Sequence, residues 1–306
     1  MPTTDRPVMP GAGHAMSVLH PGPASLHVRF RQGVLIGPYG FPDWLLYARA
    51  VVELPPPIAE LTADEQRVFD VLAANLGLQG ADPLGDSDRT PAGWCWARLP
   101  VSGDGPARRI VLVPIELHGA FRHGGGTRTL LAGRPGTGVR TDAAPAPMAR
   151  EAGEPVPAEI LAEVRRLLPY DLPPAYERFL LEGNGAGPAA PAVLPTCGFV
   201  MDQPLFGLGA EDPYRDLAYA PQWLADRFTP EFLPVGFVQG GLLALRLTGP
   251  DTGSVWFLDD DDPRDDDRLG PAEICARLLR RCADDWDAFW AGLRQPAAVL
   301  REVAEI

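Results

Sequence analysis

Two histidines, His118 and His123, stand a short way beyond the aromatic motif Trp96-Ala97-Arg98. Imidazole is the commonest metal ligand and the usual base near neutral pH, so the pair is first a candidate metal or acid–base site. Five positions apart, at 3.6 residues per turn, leaves the two rings about 140° apart on an ideal helix. Both reach one metal only if His123 lies past the helix end, and Gly124-Gly125-Gly126 favours such an ending. An open catalytic zinc site normally has about three protein ligands. The motif supplies none, because alanine carries no ligand atom and an arginine stays protonated, so it neither ligates nor accepts a proton. A residual divalent ion on His118 and His123 is the one cofactor to consider, and the plainer expectation is two side chains making structural hydrogen bonds.

The second concentration of chemistry is acidic. Asp259, Asp260, Asp261, Asp262, Asp265, Asp266 and Asp267 crowd into the run DDDDPRDDD. The run lacks the glycine and spaced ligands of an EF-hand. It is expected to be either a solvated loop or a surface facing a basic partner, on which carboxylates imitate a nucleic-acid backbone. The four cysteines, Cys95, Cys197, Cys275 and Cys282, form no CxxC pair. They are expected to be reduced and packed, with Cys275 and Cys282 on one face of a helix.

These groups sit on a chain of 306 residues, long for one core and comfortable for two. Hydrophobic residues make up 46% and charged residues 22%, which excludes a disordered or fibrous protein. All the basic residues are Arg. Up to Arg150 there are 14 Arg and 13 acids, and beyond it 13 Arg and 27 acids, so the net charge of -13 lies in the second half. That half should repel nucleic acid and attract a basic protein. No signal-peptide pattern and no apolar stretch of membrane length occurs, so the protein is expected to stay in the cytoplasm and off membranes.

Residues 1–26 are expected to be a disordered leader, 27–131 a folded domain, 132–157 a Pro/Ala/Gly linker acting as a hinge, and 158–306 a second domain. In the second domain, Ile160, Leu161, Val164, Leu167 and Leu168 keep helical spacing. Pro173-Pro174 opens another helix that stacks Tyr176, Phe179 and Leu180, with Gly183 placed to cap it. FLPVGFV, LLALRL and SVWFL, separated by Gly-containing turns, predict antiparallel hairpins. A last helical region carries Ile274, Leu278, Leu279, Trp286, Phe289, Trp290 and Leu293. The fold class is α+β, with helices flanking an antiparallel sheet.

The order Leu172-Pro173-x-x-Tyr176-x-x-Phe179-Leu180, Asn184-Gly185, Leu233-Pro234-Val235-Gly236, Gly253-x-Val255-Trp256-Phe257 and a terminal aromatic helix resembles the SUKH superfamily. The resemblance implies a non-enzymatic binding module of the kind that neutralises a bacterial polymorphic toxin, often a nuclease. The residues agree in one respect: no His follows His123, so this half offers no Ser, His and Asp combination.

Gly40-Phe41-Pro42-Asp43-Trp44, Thr90-Pro91-x-Gly93-x-x-Trp96, Leu112-Val113-Pro114-x-x-Leu117-His118 and Arg122-His123-x-Gly125-Gly126 resemble the HNH/endonuclease VII-like nucleases whose motif is Trp-His-His. That likeness implies a ββα-metal fold in which the first His after Trp holds a divalent metal and the second activates water. Ala97 and Arg98 occupy those places, so the domain is expected to be a degenerate nuclease, its motif vestigial.

The expected protein is a cytoplasmic immunity protein that binds a basic toxin, with no catalytic residue of its own. The alternatives are a divergent metal-dependent nuclease held by its acidic C-terminal domain, and a regulatory scaffold with several partners.

Overall fold

The computed structural model describes residues 18–20, 34–36, 42–79, 81–85, 88–99, 108–120, 138–142, 148–166, 168, 170–260, 262, 264–265, 268–298 and 300. The first pairing joins β1 (Val18–His20) to β2 (Val34–Ile36), antiparallel. Three residues of the expected leader are therefore in a strand, consistent with the apolar, β-favouring character of Val-Leu and Val-Leu-Ile; the rest of it lies outside the described residues.

In the N-terminal half, β3 (Ala50–Leu54), β4 (Trp94–Arg98) and β5 (Arg108–Pro114) form one antiparallel sheet in the order β3-β5-β4. Helix α1 (Ala63–Leu78) covers one face. Its start is fixed by a capping box: Glu65 N donates to Thr62 Oγ1 at 3.1 Å and Thr62 N donates to Glu65 Oε2 at 3.0 Å. Helix α2 (Ile115–Ala120) follows β5 without a loop, which completes a strand–strand–helix unit.

The C-terminal half opens with α3 (Ala158–Arg165), which buries Leu161 and Val164 but leaves Ile160 exposed. In α4 (Pro174–Gly183) the expected face is buried, with Tyr176, Phe179 and Leu180 all at 1% exposure or less. The left-handed cap is Asn184, at φ 39°, and not Gly183. Its side chain makes the conformation hold, accepting from Leu208 N at 2.7 Å and donating to Leu208 O at 3.0 Å.

After the short pair β6 (Ala192–Val193) and β7 (Val200–Met201) and the one-turn α5 (Ala220–Trp223) comes the main sheet. Strands β8 (Phe232–Val238), β9 (Gly241–Arg246), β10 (Val255–Asp259) and β11 (Arg280–Ala283) form an antiparallel sheet in that spatial order. A side chain at Gly241 would place its Cβ 1.9 Å from Leu258 O, so this turn requires glycine.

The expected last helical region is in fact two short helices, α6 (Pro271–Arg277) and α7 (Trp286–Gly292), on either side of edge strand β11. Asp285 restarts the helix by accepting from Ala288 N at 2.7 Å. Cys275 is thus helical while Cys282 lies on a strand, so the two do not share a helix face. Trp286 packs on Tyr176 at 4.7 Å and on Phe179 at 5.0 Å, closing α7 on α4.

One apolar cluster runs through both halves, joining Cys95, Ala97, Val111, Val113 and Leu117 to Leu205, Phe237 and Trp223. The described parts of 132–157 are also anchored and do not behave as a free hinge. Gly138 N donates to Asp64 Oδ2 at 2.7 Å, Glu151 N donates to Gly187 O at 2.9 Å, and Val139 and Val156 are buried. Single valines, backbone bonds and the ion pairs Arg140–Glu65 and Arg89–Glu151 hold this stretch, and none of these leaves a periodic signal in sequence. Among the described residues no helix is long and apolar enough to cross a membrane.

Candidate functional site

The register of β4 against β5 decides what Trp96, Ala97 and Arg98 face. Trp96 pairs with Leu112, Ala97 with Val111 and Arg98 with Ile110. Side chains alternate across a strand, so Ala97 and its neighbours in the motif point to opposite faces. Ala97 lies in the cluster shared with the C-terminal half, whereas Trp96 lies in the cluster under α1. Arg98, on the face of Trp96, donates to Asp70 Oδ2 on α1 at 2.8 Å. Asp70 is fully buried and also accepts from Gln66 Nε2 at 2.7 Å and from Arg108. Arg98 is therefore one partner of a buried carboxylate, a structural place.

His118, on α2, is 8% exposed. Its Nδ1 lies 3.2 Å from Asp260 Oδ2, its ring stacks on Trp44 at 5.5 Å and 23°, and the edge of Phe237 meets it at 5.9 Å. The next residue, Gly119, faces Trp223 and Phe237, where an added Cβ would sit 3.7 and 3.8 Å away. The C-terminal half thus packs directly over the helix that bears the histidine. His123 lies outside the described residues.

A metal of the kind the Trp-His-His motif implies does not fit these side chains. Ala97 offers no donor, Arg98 is committed to Asp70, and the Nδ1 of His118 is engaged with Asp260. Among the described residues no three His, Cys, Asp or Glu side chains come together to hold a metal ion.

The acidic run also differs from expectation. Asp259 Oδ2 lies 3.3 Å from both Arg67 and Arg280. Asp260 meets His118, Asp262 pairs with Arg264 at 2.6 Å, and Asp265 pairs with Arg227. These four side chains are 13%, 4%, 9% and 7% exposed, so they are internal ion-pair partners and do not form a solvated, partner-facing surface. Arginines remote in sequence neutralise Asp259 and Asp265, whereas Asp262 is held locally by Arg264. Asp261, Asp266 and Asp267 lie outside the described residues.

A polar network at the junction had no signal in the sequence. Trp96 Nε1 donates to Asn75 Oδ1 at 2.7 Å, and Asn75 Nδ2 donates to Asp202 Oδ2 at 2.9 Å. Thr90 donates to the same carboxylate from its hydroxyl at 2.6 Å and from its backbone N–H at 3.0 Å. Gln239 completes the set, accepting from Trp96 N at 3.0 Å and donating to Asp202 Oδ1 at 3.4 Å. Burial pushes the Asp202 carboxyl above its ordinary range, against the opposing pull of the Thr90 and Asn75 hydrogen bonds. Buried polar groups satisfied by one another fix a unique geometry, and here that geometry is the docking of one half on the other.

Comparison with known families agrees with this division. Residues 155–291 match the SMI1 / KNR4 family (SUKH-1). Residues 86–132 match a family described as a nuclease of the HNH/ENDO VII superfamily with conserved WHH. The second match spans β4, β5 and α2, and within it the Trp96-Ala97-Arg98 motif keeps the Trp and neither following His. No curated protein matches the chain.

Proposed function

We propose that this protein, with its SUKH-type region and a WHH nuclease-like region in one chain, is a non-enzymatic immunity protein that binds and neutralises a bacterial polymorphic toxin of the nuclease class. The observation that carries this reading is the fate of the nuclease motif. Ala97 is core, Arg98 serves Asp70, and His118 is enclosed by Asp260, Trp44 and Phe237. A binding function is then left to the SUKH-type half. The proposed organisation is a leader (1–26), a nuclease-related part (27–131), a connecting segment (132–157) and a SUKH part (158–306), acting in the cytoplasm.

The partner is proposed to be basic, because the half beyond Arg150 carries 13 Arg against 27 acids. Such an excess steers encounter with a positively charged protein and repels nucleic acid. The support is the field of the whole half and not the four described aspartates of the acidic run.

The test is capture of partners on the tagged full chain from its native cells, followed by assay of any captured nuclease in the presence of the chain. Capture of one nuclease that the chain inhibits supports the proposal, and capture of housekeeping proteins alone refutes it.

A second reading, a metal-dependent nuclease restrained by its own C-terminal half, is favoured by the contact between Asp260 and His118. It requires cleavage of DNA or RNA with a divalent ion, abolished by His118→Ala.

A further inference from the structure

The turn between β6 and β7 brings Cys197 to the edge of the main sheet, where β11 presents Cys282. The two Sγ atoms lie 3.1 Å apart, although 85 residues separate them in sequence. A disulfide bond is about 2.0 Å long, so roughly 1 Å of movement converts the contact into a bond. Three neighbours hold the pair in register. Arg280, two residues before Cys282, donates to Cys197 O at 3.4 Å. The turn itself is closed by Cys197 N donating to Leu194 O at 2.9 Å, and the hydroxyl of Thr196 lies 3.8 Å from Cys197 Sγ. Cys95 and Cys275 have no such partner among the described cysteines: Cys95 is enclosed in the shared core and Cys275 sits against Thr229 and Arg227 O.

We infer that Cys197 and Cys282 form a reversible, peroxide-responsive disulfide that staples the β6–β7 turn to edge strand β11. The thiolate of Cys197 attacks one oxygen of a peroxide, the O–O bond breaks, and hydroxide leaves, taking up a proton to become water. Cys197 is then a sulfenic acid. The Cys282 sulfur attacks it, the S–O bond breaks, and the departing hydroxide takes the Cys282 proton as a second water. Two thiols lose two electrons and two protons, and the peroxide gains both.

The chemistry favours this order of events. The contact between the two sulfurs, opposed by burial and helped by Thr196 and the nearby Arg280, brings the Cys197 thiol down to about 7, whereas the same contact pushes Cys282 up. Thr196 and Arg280 both favour the thiolate on Cys197, and the thiolate is the reactive form. Cys282 is partly exposed on its strand, which gives a small oxidant access to the pair.

The bond would also act on the junction. The loop it closes contains Asp202, Gln239, Asp259 and Asp260, through which the C-terminal half holds Asn75, Trp96, Arg67 and His118. Cross-linking such a long loop removes unfolded-state freedom.

Hydrogen peroxide applied to the full chain, followed by alkylation under denaturing conditions and peptide mapping, tests the inference. The expected product has lost two hydrogens, links the Cys197 and Cys282 peptides, leaves Cys95 and Cys275 alkylated, and reverts with dithiothreitol. Its urea midpoint should move upward relative to the reduced chain. Cys282→Ser should stop at a Cys197 sulfenic acid that dimedone traps. A link involving Cys95 or Cys275, or free Cys197 and Cys282 under conditions that already oxidise methionine, would overturn it.

Discussion

His118 Nδ1 and Asp260 Oδ2 meet at 3.2 Å across the junction of the two halves, from positions 142 residues apart. The contact makes His118 part of the joint between the halves. His118→Ala removes a ring held between Trp44 and Phe237 and leaves Asp260 nearly buried without its partner. The expected cost is about 2–4 kcal/mol of unfolding free energy, read by urea denaturation. A loss within a few tenths of a kcal/mol would mean that the contact holds nothing together.

Asn75 makes the same point for the polar network. Asn75→Ala takes an acceptor from the Trp96 indole and a donor from Asp202, both in the interior. About 2–4 kcal/mol should be lost, because unsatisfied buried groups carry their desolvation cost. A double-mutant cycle with Gln239→Ala should show coupling of about 0.5 kcal/mol or more, and simple additivity would place the two residues in separate networks.

Asp202 sets a pH dependence. Its folded-state pKa is raised by burial, so the folded state holds this proton at a higher pH than the unfolded state does. The contribution to stability is present below the unfolded value of about 3.9 and is lost as pH rises through the folded value. Urea-derived free energies for the parent chain and Asp202→Asn should therefore differ in slope, the parent losing ground to the variant as pH rises above 4. Parallel curves would refute the raised value.

Restoring the motif should not restore an enzyme. Ala97→His with Arg98→His returns both family histidines, yet position 97 opens into packed core and the change at 98 removes a partner of buried Asp70. The expected outcome is a loss of about 2 kcal/mol or more and no cleavage of DNA or RNA with magnesium or manganese. Metal-dependent cleavage by the double variant would show that a working site survives beneath the C-terminal half.

Much of the architecture was legible because it rests on local rules. Gly240-Gly241 between FLPVGFV and LLALRL announces the β8–β9 hairpin, and the spacing of Tyr176, Phe179 and Leu180 announces the buried face of α4. Strand β11 was hidden because Leu278, Leu279 and Trp286 keep apolar residues coming on either side of Arg280–Ala283, which is an edge strand with exposed arginines. The site was less legible still. Whether the acidic run faces solvent depends on Arg67 and Arg227, and Asp202 is explained by Asn75, Thr90 and Gln239, all long-range partners that no local pattern points to.

The proposed function requires that the chain inhibit a nuclease. Its most direct measurement is the cleavage rate of the nuclease captured from native cells as the purified full chain is added. Cleavage should fall in proportion to added chain until one equivalent is bound, with His118→Ala inhibiting as well as the parent wherever it remains folded. A captured nuclease whose rate is unchanged at excess chain would contradict it.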